Sequence, residues 1–356
     1  VNLLAGLPPR TVAATFALGA AGAGAGWLLH LPLPMLLGPL LTVAGASMAG
    51  VRLFGHAPAV PQKWRYVLVP VVGVAIGAAV PPDILDQVGR WWITVLALLA
   101  FVPVAHALAY GVYRRLGGID RPTAYFAAMP GGFIEALEMG ERAGARMDML
   151  VALQFLRLAL CIVGVPIAFA LVTGQAVGSG TVEAPGHDVP LTAYDAALLI
   201  AAGAGGWALA ARLHLPAAVL SGPLIASALL HGFGLTGATS PDWAVALTQW
   251  AMGTSLGARF SAFTRSALWL ALRLAALNVV LALALAAGIA LALAGPVGEP
   301  APAVILAFAP GGISEMSLVA LSLQLSIVFV TLHHLLRIVL AVVVARAGLR
   351  LVGLTS

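Results

Sequence analysis

The chain has 356 residues, of which 61% are hydrophobic and only 9% charged, and its mean hydropathy is +1.03. A soluble domain carries about 25% charged residues, so this composition excludes one and points to an integral membrane protein. The net charge of +5 comes from basic residues spread singly through short loops, which excludes a nucleic-acid-binding surface, and one cysteine, Cys161, excludes an intrachain disulfide.

The apolar runs are long and continuous, as helical spans require; ten-residue alternating strands are absent. In chain order they fall at about 11–29, 33–51, 65–80, 91–113, 123–140 and 149–173, then at 192–211, 216–233, 243–258, 266–294, 303–321 and 324–345. The first run has no A-x-A site ahead of a mature soluble region and reads as a span rather than a signal peptide. The second six runs repeat the first six. A shift of 180 aligns Trp27 with Trp207, Gly73 with Gly253, Gly77 with Gly257, and Leu156-Arg157 with Leu336-Arg337. A local insertion of four brings His30-Leu31-Pro32 and Gly38-Pro39 onto His214-Leu215-Pro216 and Gly222-Pro223. The expected organisation is repeat 1 at 1–175, a polar linker at 176–191, and repeat 2 at 192–350.

The fifth run of each repeat is interrupted. Pro130-Gly131-Gly132 and Pro310-Gly311-Gly312 cut it into halves of about eight to ten residues. At 1.5 Å per residue each half covers about 12–15 Å, half a bilayer. Whether this element crosses or turns back decides the topology. If it crosses, nine Lys/Arg fall inside and six outside; if it turns back, fourteen fall inside and only Arg90 outside. The second distribution obeys the positive-inside rule. The predicted fold class is therefore all-α and polytopic: two inverted five-helix repeats, ten transmembrane helices in all. Each repeat carries one re-entrant Pro-Gly-Gly hairpin, both termini are cytoplasmic, and the linker lies outside. Inverted repeats bring interrupted elements together at the midplane, where substrate and coupling ions bind in transporters.

Candidate site residues follow from that placement. The glycines at the bends, Gly131, Gly132, Gly311 and Gly312, leave backbone N–H groups at a helix start, where an anion is favoured; the alternative is a tight turn packed on a neighbour. Ser314 stands in the same turn. Glu135 and Glu315 lie in the first turn after the glycines, either exchanging a proton or holding Na+, or acting as helix caps and ion-pair partners. Arg157 and Arg337 lie deep in apolar helices, where a guanidinium is costly. They would capture an anion or neutralise the glutamates. Gln154 with Arg157, and His334 with Arg337, are i,i+3 pairs on one helix face; adjacent His333 and His334 do not share a face and make a poor metal site. Gly73-x3-Gly77 and Gly253-x3-Gly257 mark close helix packing. Arg273 snorkels, and Trp91, Trp92, Trp243 and Trp250 read as interface anchors.

The duplicated A-x-x-P-G-G-x-x-E segment followed by the L-R helix resembles the AbrB-duplication family of membrane proteins, over nearly the whole chain. The first copy departs from the family's S-E, having Ile134-Glu135 where the second has Ser314-Glu315. The organisation, though not the sequence, is similar to that of inverted-repeat citrate and sodium-coupled carboxylate carriers. Family members carry the labels of transcriptional regulator and of ammonia monooxygenase. A regulator of DNA needs a basic soluble module, and a copper or iron oxygenase needs clustered ligands; the eight histidines are scattered. The expectation is thus a non-enzymatic secondary transporter of a small anionic organic solute, coupled to H+ or Na+. It has no cofactor, metal or nucleic-acid partner, and it sits in a bacterial inner membrane, with the oligomeric state left open and a dimer compatible with the sequence. A membrane sensor or an oxidoreductase are the alternatives.

Overall fold

The computed structural model describes residues 6–81, 84–173, 189–263 and 265–354. The chain folds as helices, and the one bridge among the described residues is an isolated pair, Leu53 with His56. The expected linker at 176–191, with Glu183, falls outside the described residues as far as 188. The ordered helices are α1 (Pro9–Leu28), α2 (Pro34–Met48), α3 (Arg65–Ala78), α4 (Ile84–Val88), α5 (Trp92–Gly111), α6 (Arg121–Ala127), α7 (Phe133–Arg142) and α8 (Met147–Thr173). The second half continues with α9 (Ala193–Arg212), α10 (Ala218–Gly232), α11 (Asp242–Ala258), α12 (Arg265–Val297), α13 (Ala301–Phe308), α14 (Ile313–Ser322) and α15 (Ile327–Gly348). Among the described residues six apolar stretches are long enough to cross a bilayer, those of α1, α5, α8, α9, α12 and α15. Helices α2, α3, α10 and α11 have 15, 14, 15 and 17 residues, about 21–26 Å each at 1.5 Å per residue.

The helices gather into two compact units, and each unit draws on both halves of the sequence. One contains α1, α2, α3, α9, α10 and α11, with the end of α8 and the segment Ser317–Ile327. The other holds α4 to α7, α8 as far as Val165, α12, α13, the start of α14, and α15.

In the first unit α1 packs on α2 and α9 on α10, but α2 then packs on α11 and α10 on α3. The third helix of each half therefore lies against the second helix of the other. Glycine makes this possible. A Cβ on Gly73 would stand 2.7 Å from Leu220 O, and one on Gly257 would stand 2.8 Å from Leu40 O. Gly77 and Gly253 meet Leu224 O and Leu36 O in the same way. Backbones approach here because no side chain intervenes, the reading given to these Gly-x3-Gly pairs. Ser227 Oγ donates to Val74 O at 2.8 Å and ties α10 to α3. Gly22 and Gly38 close the α1–α2 contact, and Gly206 and Gly222 close the α9–α10 contact, with a Cβ on Gly22 or Gly206 at 2.6 Å from the facing carbonyl.

Backbone conformation fixes the register of the repeat. His30 and His214 have φ 53° and 54°, and Leu33 and Ala217 have 47° and 49°. These non-glycine residues in the left-handed region lie 184 apart. So do the bounds of α1 and α9. Trp27 and Trp207 are consequently not structural equivalents: their alignment at 180 is a coincidence, because the four-residue offset already operates in the first helix. From α3 onward the offset is 180, and Gly118 and Gly298 match with φ 60° and 73°.

Trp91 is not an interface anchor. It is 2% exposed and packs edge-on against Phe329 with ring centroids 5.2 Å apart. Trp250 packs on Phe16 in the first unit, whereas Trp92 and Trp243 are exposed. Arg273 is exposed, as snorkelling requires.

Candidate functional site

All eleven candidate residues lie in the second unit, on or beside the two interrupted helices. The first interruption separates α6 from α7 and the second separates α13 from α14. Each pair begins with a conventional start signal. Asp120 accepts from Thr123 N at 3.0 Å to cap α6, and Pro122 and Pro302 occupy the first turns of α6 and α13. Proline and two glycines then stop the helix. Pro130, Gly131 and Gly311 are buried, and so are the residues leading into both bends.

A helix that stops inside an apolar unit leaves carbonyl oxygens unmet. Arg157 and Arg337 meet them. Arg157 Nη1 donates to Met129 O. Arg337 Nη1 donates to Ala309 O, and its Nη2 donates to Gly311 O at 2.8 Å. One turn earlier on each helix stands a second donor. Gln154 Nε2 donates to Phe126 O at 2.8 Å, and His334 Nε2 donates to Leu306 O at 2.9 Å. Phe126 and Leu306 are 180 apart, as are Met129 and Ala309, Gln154 and His334, and Arg157 and Arg337. The two halves thus build one device with different residues. An amide in the first and an imidazole in the second do the same work.

That arrangement fixes the imidazole's state. A carbonyl only accepts, so Nε2 of His334 carries the hydrogen, while Nδ1 lies 3.2 Å from Arg337 Nη2 and accepts from it. His334 is a neutral ring holding a carbonyl. Gln154 and His334 are fully buried, and the two arginines are 2% exposed. The partners of both guanidinium groups are carbonyls and His334 rather than carboxylates.

The glutamates do something else. At the start of α7, Gly132 has φ 68°, and a Cβ there would lie 3.1 Å from Glu135 Oε2. On Gly312 a Cβ would collide with Glu315 Oε2. Each carboxylate folds back over the glycine three residues before it, at the positive end of its half-helix. The glycine faces expected to admit a ligand are covered by the chain's own carboxylates. Glu135 is exposed, Glu315 and Ser314 are half-buried, and Ile134 is exposed.

The first bend also touches the second arginine helix. A Cβ on Gly131 would lie 3.3 Å from the Cα of Ile338 and 3.4 Å from Arg337 O. Arg157 and Arg337 are consequently within electrostatic reach of each other, and Cys161 is within reach of both. Around this centre lie buried groups that sequence reasoning missed. Asn278 Nδ2 donates to Tyr113 Oη at 2.8 Å, and Tyr113 is near enough to Arg157 to feel its charge. Tyr125 Oη donates to Ala345 O at 2.7 Å, tying α6 to α15, and His106 Nε2 lies 2.9 Å from Tyr125 O. Unlike the paired motifs, Tyr113 and Asn278 have no polar counterpart one repeat away: Tyr113 faces Leu293 in the alignment, and Asn278 faces Leu98. A search for duplicated residues passes over them. Among the described residues no cluster of three or more His, Cys, Asp or Glu is placed to hold a metal ion.

The sequence model of the AbrB family, described as "Transition state regulatory protein AbrB", matches residues 47–353. A curated relative, "Putative regulator AbrB" of Escherichia coli (strain K12), is 26% identical over 297 residues, covering 82% of each chain. "Uncharacterized protein YhjN" of Bacillus subtilis (strain 168) is 22% identical over 352 residues, covering 93% of this chain and 88% of that one. With a family match over most of its length and six apolar helices of spanning length among the described residues, the chain is a membrane-embedded member of the AbrB family.

Proposed function

We propose that the protein is a secondary transporter of a small anionic organic solute, coupled to H+ or Na+, and not an enzyme. The observation that carries this reading is the pair of interrupted helices held open by matched buried donors, Gln154 with Arg157 and His334 with Arg337. Two arginines deep in apolar helices are expensive, and a chain that needed only packing would have used an uninterrupted helix. In this reading α1, α2, α3, α5 and α8, and α9, α10, α11, α12 and α15, are the ten spans of two inverted repeats. The α6–α7 and α13–α14 pairs are re-entrant hairpins from opposite faces, and the solute sits at their bends. Both termini are cytoplasmic, the membrane is the bacterial inner membrane, and the partners are lipid and solute, with no nucleic acid.

The folded-back glutamates supply a reason for coupling. An anionic solute approaching the half-helix starts at Gly132 and at Gly312–Ser314 meets Glu135 and Glu315 already there. Two like charges brought to one half-helix start repel, and the more so the less water reaches them. The solute enters only with a proton or Na+ on the carboxylate, so solute and cation travel together. Gln154, His334 and the arginines hold the bends in shape.

A second reading is a membrane sensor that affects gene expression, and the names of the family and of the Escherichia coli relative favour it. It predicts ligand binding without flux. An oxidoreductase has no comparable support. Solute uptake into proteoliposomes under imposed proton and sodium gradients decides. Gradient-dependent accumulation supports transport; binding of the same solutes with no accumulation under either gradient refutes it.

A further inference from the structure

We propose that the end of the second unit where α5, α6 and α15 meet binds anionic phospholipid, its phosphate held by Arg115, Arg121, Arg346 and Arg350. Tyr125 is the hub of that end. Its Oη donates to Ala345 O at 2.7 Å, one residue before Arg346. Its ring centroid stands 6.0 Å from that of Tyr110, one turn before Arg114. Arg121 lies one turn before Tyr125 on α6. Arg114 Nη1 donates to Ile119 O, which fixes the π-helical turn Val112–Leu116 to the start of α6. A Cβ on Gly353, three residues past Arg350, would lie 4.0 Å from Arg121 Nη1. Hydrogen bonds and packing thus gather five arginines from three parts of the chain.

Few acids offset them. These segments carry one, Asp120, whose Oδ1 accepts from Thr123 N to cap α6. The corner between α7 and α8 adjoins, since Arg146 N donates to Thr123 Oγ1 at 2.7 Å. It brings three acids, Glu138, Glu141 and Asp148, against Arg142 and Arg146. Helix α12, which packs on the π-helical turn, has no acid. With every acid on these elements counted, three positive charges remain from seven arginines and four carboxylates. Arg115, Arg121, Arg346 and Arg350 are exposed, and among the described residues the ion pair at this end is that of Arg146 with Asp148, at 3.6 Å. A guanidinium fork matches phosphate oxygens two at a time.

The surface beside the arginines selects the kind of phosphate. On α15, Val339, Val343 and Arg346 recur at i, i+4 and i+7, so they share one face, and all three are exposed. Val104 and Leu108, exposed one turn apart on α5, lead up to Arg115. Apolar faces that run straight into a surplus of positive charge fit acyl chains joined to an anionic head group. Free phosphate would leave those faces without a partner.

The full chain, purified in detergent and stripped of lipid, is heated with added phosphatidylglycerol, with phosphatidylcholine of the same acyl chains, or with inorganic phosphate. Phosphatidylglycerol is expected to raise the unfolding midpoint by several degrees along a saturable curve that weakens as sodium chloride is added. The other two are expected to give no such rise. The double variant Arg346→Gln, Arg350→Gln should lose most of the rise, and Arg52→Gln with Arg212→Gln, exposed arginines of the first unit, should keep it. Native mass spectrometry from micelles holding both lipids supplies a second measurement: phosphatidylglycerol retained preferentially by the unsubstituted chain and not by the Arg346/Arg350 variant supports the site. Equal rises with the two lipids, an equal rise with inorganic phosphate, or equal loss in both double variants overturns it. Lipid retention asks nothing of flux, so this proposal and the transport reading fail separately.

Discussion

If His334 is a carbonyl holder, its replacement by the residue that does the same work in the other half is tolerated. His334→Gln keeps an N–H donor at the distance from which Gln154 reaches Phe126 O, 2.8 Å, and aims it at Leu306 O. His334→Ala removes the donor and strands a buried acceptor. Stranding that carbonyl costs about 1–3 kcal/mol. The loosened contact with Arg337 Nη2 adds to that. The expected loss is therefore about 2–4 kcal/mol for alanine and under about 1 kcal/mol for glutamine. Unfolding in mixed detergent micelles, followed by helix signal, measures both. A pH series adds a second readout: glutamine does not titrate, so its stability profile between pH 5 and 8 should superimpose on that of the unsubstituted protein if the imidazole stays neutral throughout. Equal destabilisation by glutamine and alanine, or a pH dependence abolished by glutamine, would refute the reasoning and return His334 to proton chemistry.

Other outcomes follow from the same structure. Gly253→Val pushes a branched side chain into the α2 backbone at Leu36 O and should lower stability by about 1–3 kcal/mol. Gly24→Ala, with nothing near its Cβ, should be neutral or slightly stabilising in thermal scans. Tyr125→Phe removes the donor to Ala345 O, and should cost about 1–3 kcal/mol with no change in solute affinity. On the proposed transport reading, Glu135→Gln with Glu315→Gln uncouples solute uptake from the cation gradient while leaving the fold intact, measured by flux at varied pH and sodium. A maleimide should leave Cys161, fully buried, unmodified until the protein is unfolded.

Much of this was legible because punctuation residues leave strong local marks. Pro-Gly-Gly has few conformational options, so the breaks between α6 and α7 and between α13 and α14 were visible without coordinates. The Gly-x3-Gly pairs announced close contact but not with which helix; that Gly73 and Gly77 face α10 depends on packing across some 150 residues of sequence. The arginines were visible as charges in apolar runs. Their partners were not, because a carbonyl acceptor belongs to every residue and leaves no trace in the sequence. The matching positions of Gln154 and His334, each three residues before its arginine, were visible, but their common role was hidden by their different chemistry and emerged only when both were seen donating to the matching carbonyl. Trp91 misled because a tryptophan at a helix start suits either a lipid headgroup or a core, and only its contact with Phe329 distinguishes them. Trp27 misled because a single constant shift was applied to a repeat whose first two helices are displaced by four further residues.

The swapped third helices of the first unit bear on ancestry. A polypeptide comprising one half alone would present an α2-like groove with nothing to fill it and an α3-like glycine ridge with nowhere to rest. Two such polypeptides would complement one another, each lending its ridge to its sibling. Today's single chain has the layout of a fused homodimer, and its two halves, made separately in one cell, should find each other again.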